Sequence, residues 1–375
     1  MALSGGVDSS VAALLLKQAG HEVIALFMRN WHDSTLTVDN ECPWIEDSND
    51  ALQIAQQIEI PFQIIDLSKE YKKHIINYMI SAYKKGETPN PDILCNKYIK
   101  FHVFLEYAMQ LKADFIATGH YCIKNKINNE YKLIKGKDKI KDQTYFLCQI
   151  NQQQLQKSLF PIGHLTKREV RDIAHKHNLI TAEKKDSQGL CFVGKIKLPI
   201  FLKNQISEKS GDIIEVPSNS KLYNTHLPAG SSFQYSIKDG KKIGQHNGAH
   251  YFTVGQRKGI DIGGKTEPLF VIGTDTKKNI VYVGMGKEHP GLFRSNLKVK
   301  SHETHWITES MRMKINEKRE YTVRIRHQQN PKKALLEKTK EYLYIFFKEP
   351  QRGIAKGQFA AWYSKNELIG SGPIN

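Results

Sequence analysis

Ser4-Gly5-Gly6-Val7-Asp8-Ser9-Ser10 runs straight into Val11-Ala12-Ala13-Leu14-Leu15-Leu16, and a chain with this opening has few folds to choose from. Two adjacent glycines let the backbone turn sharply and approach a ligand closely, and the apolar run behind them reads as a helix. The N–H groups of Asp8, Ser9 and Ser10 then lie at a helix N-terminus, a ready anion site. The pattern is not G-x-x-x-x-G-K-[ST]: no lysine stands among the phosphate-facing residues, and Lys17 comes two helical turns later. Cleavage of a γ-phosphate is therefore not the chemistry it points to first.

Beyond this loop, helices and strands alternate. Helical patterns over 11–19, 47–58, 69–85 and 96–111 are interleaved with apolar runs over 21–28, 62–67 and 113–118, the last closed by Gly119-His120. Strands and helices at this spacing predict a parallel sheet covered on both faces, with ligands gathering at the carboxyl ends of the strands. The phosphate loop and Gly119 share that edge. The stretch 143–178 reads as helical, with a capping box at Thr166-Lys167-Arg168-Glu169. After about 207 the texture changes to short alternating runs punctuated by glycine and proline, such as 251–254, 280–283, 321–325 and 342–347. The expected organisation is α/β: a catalytic domain over 1–206, a small β-rich central domain over 207–280, and a C-terminal β-barrel over 281–375.

The 375 residues carry 55 Lys and Arg against 38 Asp and Glu, a formal charge of +17. That excess suits a polyanionic partner, although a lysine-rich codon bias produces the same number. No run of about eighteen apolar residues is present, and the Gly-rich loop comes at once after the first residues, so a cytoplasmic protein without a membrane span is expected. Five cysteines, at 42, 95, 122, 148 and 191, include no C-x-x-C pair, so neither a disulfide framework nor a structural metal is expected.

Cys95 ends Thr88-Pro89-Asn90-Pro91-Asp92-Ile93-Leu94-Cys95 and precedes a helical pattern. It is either a buried structural thiol or a thiolate favoured by a helix N-terminus and Lys97, with Asp92 close enough to move a proton. Cys191, in Lys184-Lys185-Asp186-Ser187-Gln188-Gly189-Leu190-Cys191, sits in a basic loop, where a thiol is open to exchange or persulfidation. Cys122 and Cys148 read as packing residues. Lys141-Asp142-Gln143 reads either as solvated charge with an N-cap aspartate or as a contact. From 298 to 333, ten Lys or Arg face four acids, a candidate RNA face with Arg326, His327 and Tyr321.

Together these stretches resemble the tRNA-specific 2-thiouridylases of the bacterial MnmA/TrmU type, within the PP-loop ATP pyrophosphatases. The motifs are SGGVDSS at 4–10, FMRNW at 27–31, TPNPDILCN at 88–96, ATGHY at 117–121, KDQTYFL at 141–147, KKDSQGLCFVG at 184–194 and HYFTVGQRKG at 250–259. The first alone is shared with other ATP pyrophosphatases; the two cysteine motifs in order make the match specific.

The resemblance implies an adenine nucleotide α-hydrolase-like first domain, with ATP and Mg²⁺ at Ala2, Leu3, Ser4, Gly5, Gly6, Val7, Asp8 and Ser9, and Met28 and Gly119 beside the nucleotide. It implies adenylation of wobble uridine 34 and a persulfide on Cys191 loaded by an upstream sulfur carrier protein. Cys95 would be the nucleophile that leaves a transient Cys95–Cys191 disulfide, and Asp92 the acid/base. Asn90, Pro91 and Asp92 would touch the target base, and Lys141, Asp142, Gln143, Arg326 and His327 the tRNA, on a monomer. Two departures stand out: only Met1-Ala2-Leu3 precede the loop, almost removing the first strand, and His327 stands where an aromatic such as tyrosine is also familiar. The rival readings are an ATP-pyrophosphatase ligase or amidotransferase acting on a small metabolite, and a tRNA-binding protein without chemistry.

Overall fold

The computed structural model describes residues 1–30, 43–185 and 198–375. Trp31, Cys42, Cys191 and the rest of the 186–194 motif lie outside the described residues.

Three residues suffice for the first strand. Leu3 N donates to Leu26 O at 3.0 Å, Leu26 N to Met1 O at 2.9 Å, and Ala2 N to Ala117 O at 2.9 Å. Met1–Leu3 thus fills the centre of a sheet, bonded on both sides. Ala25–Arg29 pairs in parallel with Phe62–Asp66 on one flank, and Ile116–Ala117 with Ser158–Leu159 on the other. The spatial order is 62–66, 25–29, 1–3, 116–117, 158–159, so the winding reverses beside 1–3. Ligands of open parallel sheets sit beyond the carboxyl ends at such a reversal. The two segments leaving the sheet there are Ser4–Ser10 and Thr118–Tyr121.

Helix α1 (Val7–Gln18) buries Val7, Val11, Ala12, Ala13, Leu14 and Leu16, and Gly20 ends it at φ +84°. The helix expected over 96–111 starts earlier. Asn90 is its N-cap, accepting from Ile93 N at 3.2 Å, and Pro91 takes the first helical position, where its missing N–H costs nothing. It continues as a π-helical stretch Cys95–Val103 and then Phe104–Gln110. Cys95 therefore lies in the body of a helix, past the first turn where the macrodipole acts most strongly. The 143–178 stretch is not one helix: it holds a 3₁₀ turn Thr144–Leu147, a short helix Gln152–Gln156, the strand Ser158–Leu159 and the helix Lys167–Lys176. The last has the expected capping box, with Thr166 N donating to Glu169 Oε2 at 2.6 Å.

The second half contains no long helix among its described residues. Gly211–Glu215, Lys241–His246, Leu269–Asp275 and Ile280–Met285 form a four-stranded sheet. A boundary at 280 would cut the last strand from its partners, so the pairing puts the junction after Met285. The expected strand at 251–254 is a turn, Ala249–Tyr251 being 3₁₀. The C-terminal strands run in the order Phe293–Lys300, Tyr342–Arg352, Lys332–Lys338, Lys318–Arg324, Phe359–Ser364, Glu367–Pro373, and Asn375 N returns to Lys298 O at 2.9 Å.

That sheet does not stop at the domain border. Leu368 and Glu367 pair with Leu133 and Ile134 of the hairpin Cys122–Ile127/Glu130–Lys135, which belongs to the first domain in sequence. Phe359–Ser364 explains how both domains share a core. Ala360 and Trp362 point into the barrel, while Phe359, Ala361 and Tyr363 pack with Ile93, Cys95 and Tyr145. A strand buried on both faces reads as a continuous apolar run, here Phe359-Ala360-Ala361-Trp362-Tyr363.

Candidate active site

The loop is built around serine hydroxyls and a glycine turn. Ser9 Oγ donates to Gly6 O at 3.0 Å and accepts from Ser4 N at 3.2 Å; Ser10 Oγ donates to Gly6 O at 2.9 Å. Gly5 holds φ +71°, and a Cβ there would collide with the Asp47 carbonyl, so only glycine fits. A Cβ on Gly119 would come within 2.9 Å of Asp8 C and Ser9 N. The structure thus brings together the loop and Gly119, and Met28 is fully buried in the Ala25–Arg29 strand that neighbours residues 1–3.

Asp8 is the polar centre of the arrangement. Tyr121 Oη donates to its Oδ1 at 2.6 Å, and Lys167 Nζ donates to both carboxylate oxygens at 2.8 and 2.9 Å. Neither partner stands out in the sequence. Tyr121 closes the ATGHY motif, and Lys167 opens the helix that the capping box predicts; the box locates the helix but not where its first side chain reaches.

His120, between Gly119 and Tyr121, is buried with its Nδ1 2.8 Å from Thr118 Oγ1. Burial, and then the Lys100 ammonium, push its pKa well below the usual 6.5. The folded protein holds it neutral, whereas the unfolded chain takes up a proton near pH 6.5. Stability therefore falls as pH drops below about 6.5, by up to about 1.4 kcal/mol per pH unit from this residue. A lower melting temperature at pH 5.5 than at pH 7.5, with a shallower slope in His120→Gln, is the expected result.

Lys184, the first residue of the KKDSQGLCFVG motif, is anchored beside the phosphate loop. Lys184 Nζ bonds Asp47 Oδ1 at 2.7 Å and also Asp50, and Arg171 donates to Ala182 O and Lys184 O. Burial pulls the Lys184 ammonium down, but the two carboxylates outweigh it and hold its pKa above the usual range.

Cys95 is fully buried among Ile93, Ile99 and Phe101, while Asn90, Pro91 and Asp92 are half-buried at the start of its helix. Lys97 Nζ is turned to Gln149 Oε1 at 3.0 Å. Two residues of the other domains hold this segment: Gln358, which no sequence pattern flags, donates from Nε2 to Thr88 O and Pro89 O at 3.2 and 3.3 Å, and Thr253, within the 250–259 motif, lies with its Oγ1 3.0 Å from Thr88 Oγ1. Cys122 and Cys148 are fully buried, and burial raises both thiols, Cys148 to about 12.

The residues expected on tRNA divide. Asp142 is 2% exposed, ion-paired to Arg324 Nη1 at 2.9 Å and bonded by Thr144. It is neither solvated charge nor a surface contact. Gln143 Oε1 accepts from Tyr121 N at 3.0 Å. His327 stacks on Phe146 with ring centroids 4.3 Å apart, its Nε2 3.1 Å from Asp142 O. Arg326 is exposed, although its Nη2 donates to Gly353 O at 2.7 Å. Tyr321 is 5% exposed, so its ring is not offered for stacking.

Three family profiles match in succession: a tRNA methyl transferase HUP domain at 1–195, a tRNA methyl transferase PRC-barrel domain at 200–285, and an aminomethyltransferase beta-barrel domain at 296–374. A tRNA-specific 2-thiouridylase MnmA from Flavobacterium johnsoniae is 54% identical over the whole of this chain and 98% of the relative. The chain belongs to the tRNA-specific 2-thiouridylase family. Relatives of the same name from Christiangramia forsetii and Karelsulcia muelleri are 50% and 53% identical over the whole of this chain, covering 98% and 97% of theirs. The profile descriptions carry a methyl-transfer label; the full-length relatives are 2-thiouridylases, and their match spans all three domains. An NMN synthetase from Francisella tularensis aligns with 50% of this chain and 64% of its own at TM-score 0.32 and 18% identity. No helix among the described residues of this chain is long and apolar enough to cross a membrane, and no group of three or more His, Cys, Asp or Glu forms a metal cluster there.

Proposed function

We propose that this chain transfers sulfur to C2 of uridine 34 of tRNA, consuming ATP, in the cytoplasm and as a monomer. The full-length similarity to 2-thiouridylases carries the reading, and the convergence of the phosphate loop, Gly119 and Lys184 supports it.

ATP lies along Ala2–Ser9, with its phosphates on the N–H groups opening α1 and its base near Met28 and Gly119. Asp8 is the carboxylate at the loop that would hold magnesium brought in with the nucleotide, and the ion would supply neutralisation of the phosphate charge. The uridine O2 attacks the α-phosphorus, the bond to the bridging oxygen breaks, and that oxygen keeps the electron pair as pyrophosphate leaves. C2 then carries AMP as a leaving group.

The terminal sulfur of a Cys191 persulfide, supplied by a persulfide carrier protein, displaces AMP at C2. The Cys95 thiolate attacks the Cys191 sulfur, the S–S bond breaks toward the nucleoside, and 2-thiouridine leaves with a Cys95–Cys191 disulfide that a dithiol must reduce. Asp92 moves the proton. Because Cys95 is buried, the target base must enter with some displacement of the segment that Gln358 and Thr253 hold. Lys141, Gln143, Arg326 and His327 flank the tRNA; Asp142 acts through Arg324 and His327.

The test is mass spectrometry of nucleosides from unmodified tRNA incubated with the protein, ATP, Mg²⁺ and a persulfide sulfur donor. ATP-dependent 2-thiouridine is expected. Pyrophosphate release that needs a small amine instead of tRNA would mark a ligase, and tRNA binding without product a binding protein; either result would sink the proposal.

A further inference from the structure

Phosphate-binding loops usually pair backbone N–H groups with a lysine that neutralises the phosphates. Ser4–Ser10 has the first and not the second. The fold brings a lysine to the loop from about 160 residues away. Lys167 Nζ bonds both oxygens of Asp8, the second residue of α1, at 2.8 and 2.9 Å. Its side chain is 14% exposed.

The position is built. Lys167 is the first residue of its helix, which Thr166 and Glu169 cap reciprocally, and Lys167 N donates to Asp138 Oδ2 at 2.9 Å. Helix Lys167–Lys176 packs against α1, with Val170 and Ala174 in the same core as Val11 and Leu14. On the far side of Asp8, Tyr121 Oη completes the cradle at 2.6 Å. A cation so held is tied to the second residue of α1, and a lysine and a helix N-terminus both favour negative charge.

We infer that Lys167 is the phosphate-binding cation of this site: Asp8 holds it in place, and it passes to the β- and γ-phosphates when the nucleotide enters. The inference rests on the proposed placement of ATP at this loop. As the α-phosphorus changes partners, Lys167 neutralises the charge that collects on the departing pyrophosphate. No proton needs to move; the ammonium exchanges one anionic partner for another. The lysine missing from the motif is thereby supplied by a different helix, and the ATGHY motif serves the same carboxylate through Tyr121.

Calorimetry with inorganic pyrophosphate and with adenosine, in the presence of Mg²⁺, tests it. Lys167→Gln should weaken pyrophosphate by roughly thirtyfold or more, as loss of one partner of a desolvated charge pair does. Adenosine affinity should stay within about twofold, and Lys167→Arg should keep most of the pyrophosphate affinity. A merely structural lysine would change both ligands together; that outcome, or unchanged pyrophosphate affinity in Lys167→Gln, overturns the inference. On the wild-type chain, bound pyrophosphate should also shield Lys167, but not Lys184, from an amine-acetylating reagent, and equal labelling with and without pyrophosphate would count against it. If the wild type binds neither pyrophosphate nor ATP, the nucleotide site itself is wrong, and the inference falls with it.

Discussion

Cys95→Ser should make no 2-thiouridine, a fall of at least about a thousandfold, or about 4 kcal/mol in the barrier, while ATP and tRNA binding remain measurable. Serine nearly matches cysteine in volume, so the core formed by Ile93, Ile99 and Phe101 is barely disturbed. A hydroxyl is neither a comparable nucleophile at neutral pH nor able to form a disulfide. Cys191→Ser should fail as completely and one step earlier, with no sulfur delivered to C2. The check is nucleoside mass spectrometry alongside pyrophosphate release. Normal thiolation by either variant would remove the two-cysteine mechanism, whereas loss of pyrophosphate release with Cys95→Ser would mean that the thiol supports adenylation as well.

The second large effect is on stability. Asp142→Ala should destabilise the protein by about 3–5 kcal/mol, because it leaves the Arg324 guanidinium buried without its countercharge. The pair is 2% and 8% exposed, so solvent screening offers little relief. Denaturant unfolding measures the loss, and a melting curve indistinguishable from wild type would return Asp142 to the surface role that its sequence context suggests. Removing both charges together, as Asp142→Leu with Arg324→Met, should cost less than Asp142→Ala alone, since apolar replacements leave no orphaned ion.

Much of the first domain is legible in the sequence because its signals are local. Gly5 and Gly6, the apolar face of α1, Gly20 and Gly86 at helix ends, and the Thr166 capping box each act within a few residues. The features that escape depend on partners far away in sequence. Asp142 reads like any polar turn residue until Arg324 closes on it across 182 positions. Lys167 enters the sequence reading only as a member of the capping-box tetrapeptide, and its bond to Asp8 spans 159 positions. The start of the Cys95 helix is displaced for another reason: Pro91 reads as the end of a stiff approach, whereas a proline is equally at home as a first helical residue. Cys191 lies outside the described residues; upstream of it, Lys184 is held by Asp47 and Asp50.

The strand pairing between Glu367–Leu368 and Leu133–Ile134 sets an order of events during synthesis. Glu130–Lys135 leaves the ribosome about 230 residues ahead of the segment that completes its sheet. Until then the hairpin presents an open hydrogen-bonding edge. Phe359, Ala361 and Tyr363, which roof the core containing Cys95, arrive equally late. A nascent chain can thus assemble its Gly-rich loop early, from residues 1–185, yet cannot enclose Cys95 until the barrel strands have emerged. Translation itself times the maturation of this enzyme, and ribosomes stalled before residue 359 would hold chains with a formed phosphate loop and an uncovered Cys95.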